Sequence, residues 1–118
     1  MARQEESMRQ LKVARQLQRD LSEIFQTGAA TYALGRMVTV TRVRVSPDLE
    51  YANVFLSVFP SKDVDDIMTG IRRQTREIRY DLGKRIRHQL RVVPELRFEL
   101  DDSLDYIDRI DELLSSDS

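Results

Sequence analysis

The sequence predicts an α+β fold, a three-stranded sheet packed on helices, in the order helix, strand, strand, helix, helix, strand, short helix. Three observations lead there: an aliphatic stripe at helical spacing near the N-terminus, two strand-like stretches joined by Ser46-Pro47-Asp48, and a second helical stripe that gives way to the alternation Leu96, Phe98, Leu100. With 118 residues, 41% of them hydrophobic, the chain can enclose one core. A single domain over 1–118 is expected, with 115–118 a frayed tail.

Met8, Leu11, Ala14, Leu17, Leu21, Ile24 and Phe25 recur at steps of three and four, which places them on one helix face ending near Gly28. Gly28 to Gly35 lacks periodicity and reads as a loop. Met37 to Val45 is dense in Val and Thr and reads as a strand; its apolar phase slips between Val40 and Val43, from either a bulge or burial on both faces. Ser46-Pro47-Asp48 supplies turn chemistry, because proline presets φ and the short polar side chains bond nearby backbone. In Tyr51 to Phe59, the aliphatic Ala52, Val54, Leu56 and Val58 alternate with a mixed, partly aromatic set, so a hairpin is expected.

From Asp63, a stripe of Val64, Ile67, Met68 and Ile71 continues through Thr75, Ile78, Leu82, Ile86 and Leu90, as either one long helix or two in tandem. Gly70 is a weak point, and Gly83 costs roughly 1 kcal/mol relative to alanine. Leu96, Phe98 and Leu100 form the third strand, with Pro94 at its start. Asp102 and Ser103 suit the N-cap of a last helix using Leu104, Ile107, Leu113 and Leu114.

Charge is segregated although the net value is only -1. Between Arg72 and Arg97, nine cations meet only Glu77, Asp81 and Glu95, a net +6; from Glu99 onward, eight carboxylates meet only Arg109, a net -7. On a helix turning about 100° per residue, Arg73, Arg76, Tyr80, Lys84 and Arg87 cluster about 150° from the centre of the aliphatic stripe. This builds a cationic ridge with a ring in its middle, suited to phosphate contacts and base stacking. The plainer alternative is a solvated face, but acidic residues at the spacing that would neutralise it are few. A break near residue 74 would take Arg73 off the ridge. Arg79 sits beside the aliphatic stripe, where reaching over the core competes with any RNA contact.

Other chemistry finds little support. There is no cysteine, which removes disulfides and thiolate catalysis and suits a reducing compartment. His88 stands without a catalytic constellation and reads as a surface residue. Asp101, Asp102, Asp105, Asp108 and Asp111 lack the spacing of a calcium loop and read as a helix cap and a solvated face. No phosphate-binding loop, dinucleotide fingerprint, zinc-protease or serine-hydrolase motif occurs. No enzyme activity, cofactor, metal or small-molecule substrate is therefore expected. No stretch approaches the roughly 20 apolar residues of a membrane span, and the first ten residues are polar, so a cytoplasmic location is expected.

Val38-Thr39-Val40-Thr41, Val45-Ser46-Pro47-Asp48-Leu49, Tyr51-Ala52, Arg91-Val92-Val93-Pro94-Glu95-Leu96-Arg97-Phe98 and Asp101-Asp102-Ser103-Leu104 occur in this order and at these separations. Together they resemble the ribosome-binding factor A family of bacterial small-subunit assembly factors, over roughly Ser7 to Leu114. The resemblance implies a type II KH-like fold without a catalytic site. It implies binding to the small (30S) subunit late in its maturation, contact with 16S ribosomal RNA near the decoding region, help with processing of the RNA 5′ end, and a need greatest in the cold. Ordinary KH domains clamp nucleotides with a GXXG loop, whereas this family resembles a helix interrupted at Ala-x-Gly. Here Gln74-Thr75-Arg76 occupies that place, so neither pattern is present.

The expected RNA-binding residues are Arg72, Arg73, Arg76, Tyr80, Lys84, Arg85, Arg87 and Arg91, on a monomer. The competing function is a protein-interaction adaptor whose basic ridge docks acidic partners without RNA affinity.

Overall fold

The computed structural model describes residues 6–86, 90 and 93–101. Helix α1 spans Met8–Thr27 and starts at a capping box: the Ser7 hydroxyl accepts from the Gln10 amide, and the Gln10 side chain accepts from the Ser7 amide. It ends at Gly28, where a Cβ would come within 2.9 Å of both the Ile24 carbonyl and the Tyr32 ring. Only glycine allows that approach. The expected loop after Gly28 holds one turn of helix, α2 at Ala29–Tyr32, because the Thr31 and Tyr32 amides both bond the Gly28 carbonyl.

Strands β1 (Met37–Val45) and β2 (Tyr51–Phe59) form the expected antiparallel hairpin. The register shifts between Val40 and Arg42, so the phase slip marks a bulge. Val38, Val40, Val43 and Val45 thereby all face the core. In the turn, the Ser46 hydroxyl donates to Asp48 at 2.7 Å and accepts from the Tyr51 amide at 3.0 Å, while Asp48 accepts from the Glu50 amide at 3.1 Å. These bonds, the Ser46 hydroxyl first, hold the Asp48 carboxyl below its ordinary pKa.

Helices α3 (Val64–Arg73) and α4 (Thr75–Ile86) are separate, parted at Gln74. The Gln74 side-chain amide donates to the Gly70 carbonyl at 3.0 Å and the Tyr32 carbonyl at 3.2 Å, and the Thr75 hydroxyl donates to the Arg72 carbonyl at 2.7 Å. Side chains thus satisfy carbonyls that the end of α3 would leave without partners. Strand β3 (Glu95–Leu100) pairs in parallel with β2, giving the sheet order β1-β2-β3.

The core lies on one face of this sheet. Leu17, Leu21 and Phe25 of α1, Ile67, Met68 and Ile71 of α3, and Ile78, Leu82 and Ile86 of α4 are buried with the inward residues of all three strands. Phe25 packs edge-on against both Tyr32 and Phe98, at 6.4 and 6.0 Å between ring centres. The fold is α+β with the expected helix, strand, strand, helix, helix, strand order. The expected last helix lies outside the described residues.

Candidate nucleic-acid interface

Helix α4 buries Ile78, Leu82 and Ile86, each four residues from the next, and the same step brings Arg76, Tyr80 and Lys84 together on its outer side. All three are exposed, Tyr80 by 67%. The Lys84 ammonium lies 4.6 Å from the centre of the Tyr80 ring, a cation–π contact that keeps the lysine beside the ring without neutralising it. Neither Arg76 nor Lys84 has an ion pair among the described residues. Arg76, Arg79, Tyr80 and Val93 line a hollow of about 300 Å³.

Three other cations of this region, Arg79, Arg85 and Arg72, are engaged. Arg79 Nε donates to the Pro94 carbonyl at 3.1 Å, and its terminal nitrogen to the Val93 carbonyl at 2.6 Å. That clamps the entry of β3 to α4, in keeping with a place beside the aliphatic stripe. Arg85 forms a 2.6 Å ion pair with Glu23 of α1. Arg72 Nε donates at 3.0 Å to the Phe98 carbonyl of the edge strand β3. Arg73 is exposed at the end of α3, across the break from Arg76, and so leaves the continuous ridge that one uninterrupted helix would have made. Arg87, His88 and Arg91 lie outside the described residues, as does Asp102. Asp101 accepts from the Thr41 hydroxyl at 2.6 Å.

A second set of cations went unrecognised in the sequence. Arg42 stacks on the Phe55 ring at 4.6 Å and Arg97 on the Tyr51 ring at 4.3 Å, both on the sheet face away from the helices. Strand alternation was the available signal, since these arginines and rings all occupy the outward phase. Among the described residues, no group of three or more His, Asp or Glu is placed to hold a metal, and no helix is long and apolar enough to cross a membrane.

Comparison with known proteins adds the decisive observation: the sequence profile of ribosome-binding factor A matches residues 9–114. The chain belongs to the ribosome-binding factor A family. The family's protein from Cytophaga hutchinsonii is 40% identical over 110 residues, covering 93% of this chain and 83% of that one. The crystal structure of ribosome-binding factor A from Thermus thermophilus superposes with a TM-score of 0.64 at 24% identity, over 77% of this chain and 94% of that one, and supports the fold. A homology model of the Thermus thermophilus factor, fitted into a cryo-EM map of its complex with the 30S subunit, superposes with a TM-score of 0.59 at 25% identity, over 75% of this chain and 91% of that one. Gln74-Thr75-Arg76 therefore breaks the helix in this member of the ribosome-binding factor A family without Ala-x-Gly, through side-chain capping.

Proposed function

We propose that this chain binds the small ribosomal subunit during late maturation, holding 16S ribosomal RNA against the outer side of α4 and so assisting its processing, without catalysing a reaction itself. The observation that carries this reading is the contrast within one helix. Arg79 and Arg85 are spent on protein partners, whereas Arg76 and Lys84 flank an exposed ring and keep their charge available. Phosphates would meet the two cations, and an unstacked base would lie on Tyr80. Arg73 adds a cation across the break, and Arg87 and Arg91 are proposed to extend the surface. Arg72 and Arg85 could contribute only the donors their protein partners leave over. Family membership and the 30S complex of the Thermus thermophilus factor support the choice of target.

The test is co-sedimentation with purified small subunits, large subunits and whole ribosomes across a salt series. Selective binding to small subunits is expected, with a log-log salt slope of about -4 for roughly five phosphate contacts. Arg76→Glu with Lys84→Glu should weaken binding and flatten the slope by at least about 2. Arg79→Ala should lower thermal stability and leave the slope unchanged. Salt-independent binding, or capture of acidic proteins without RNA affinity, would overturn the proposal in favour of an adaptor.

A further inference from the structure

Among the described residues, the helices cover only one face of the sheet, and the other carries an ordered set of side chains that the RNA reading does not use. In register, Arg44, Asn53 and Arg97 form one row across the three strands, and Arg42, Phe55 and Glu99 form the next. The guanidinium carbons of Arg42 and Arg97 lie over rings, 4.6 and 4.3 Å from their centres. A guanidinium held over a ring by cation–π attraction still has N–H donors to offer, and a carboxylate fits them. Arg42, Arg44 and Arg97 have no ion pair among the described residues.

The course of the chain beyond β3 supplies a candidate occupant. The Asp101 amide donates to the Leu56 carbonyl at 2.7 Å, continuing the pairing with β2. Its carboxylate accepts from Thr41 on β1, so it bridges from the β3 edge past β2 to the opposite strand. Leu96, Phe98 and Leu100 point toward the core, so by alternation Asp101 belongs to the uncovered face. Residues 102–118 follow directly. They carry six carboxylates against Arg109, and Leu104, Ile107, Ile110 and Leu114 recur at steps of three and four.

We propose that this acidic C-terminal segment docks on the uncovered face of the sheet, with its carboxylates on Arg42, Arg44 and Arg97 and its aliphatic stripe over Tyr51 and Phe55. The reach is sufficient: Arg97 is four residues, about 13 Å along the strand, from Asp101, and twelve residues cover about 18 Å even at the short rise of a helix. Attachment beside the site gives the segment an effective concentration in the millimolar range, which favours it over a separate acidic partner. Docked there, it lies on the opposite side of the sheet from α4 and does not compete with phosphates for Arg76 and Lys84. The proposal stands independently of what α4 binds.

The absence of cysteine makes the test clean. A nitroxide attached to Asp108→Cys in the full-length chain should broaden the amide signals around Arg42, Arg44, Asn53 and Arg97 and spare those of Arg76 to Lys84. Two charge reversals, Arg44→Glu with Arg97→Glu and, separately, Asp105→Lys with Asp111→Lys, should each restore the lost intensity. Broadening centred on α4, broadening nowhere, or loss unaffected by both reversals would overturn the proposal. So would broadening that requires a mixture of isotope-labelled chains with separately spin-labelled ones, since a second copy would then be the occupant.

Discussion

Tyr32 joins three parts of the fold through one residue. Its ring packs edge-on against Phe25, its carbonyl accepts from Gln74 at the α3–α4 break, and its hydroxyl donates to Asp81 of α4. Burial first, and then the Asp81 carboxylate, push the hydroxyl pKa from 10.0 up to about 12. The protonated hydroxyl is thus favoured in the folded state. Its contribution is complete below pH 10 and is lost as pH rises through about 12. Tyr32→Phe should lower unfolding free energy at neutral pH by about 1–2 kcal/mol. In urea titrations, the gap between the two proteins should narrow above pH 10. An equal gap at neutral and strongly alkaline pH would show that the hydroxyl bond is not its source.

Among the elements, α4 separates a buried aliphatic face from an exposed cationic one. Gly83 lies within it, and a Cβ there would stand 3.6 Å from a Val93 methyl, an ordinary contact with room to spare. Gly83→Ala should therefore raise stability by about 0.5–1 kcal/mol, read as a higher denaturation midpoint with unchanged small-subunit binding. The three strands were legible because period-two patterning survives without tertiary information, and even the bulge left its trace in the slip between Val40 and Val43. The break at Gln74 was legible only as an open choice. Glutamine and threonine are tolerated inside helices, and what ends α3 is where their side chains reach, including the distant Tyr32 carbonyl. The same limit applies to the cations. Helical phase separated Arg79 from Arg76, but nothing local indicates that Arg85 meets Glu23 or that Arg72 meets Phe98.

At the scale of the molecule, layering sets which substitutions matter. Leu56 sits on the central strand, 0% exposed beneath the helices, whereas Thr39 on β1 faces the uncovered side. Leu56→Ala should cost about 2–5 kcal/mol, and Thr39→Ala no more than about 0.5 kcal/mol. Both are measurable as shifts of the urea midpoint at constant slope. Comparable losses at the two positions would contradict a core confined to one face.

The parallel pairing of β2 with β3 also constrains the birth of the protein. Strands β1 and β2 meet through a short turn at 46–50, but β3 can reach its place only after the intervening residues 60–94 have been made. During synthesis, the hairpin emerges with one border of β2 unsealed, open to adhesive pairing with other nascent chains. That exposure ends only when residues 95–101 leave the exit tunnel, so slow translation across the crossover prolongs the interval in which chaperones must guard the strand.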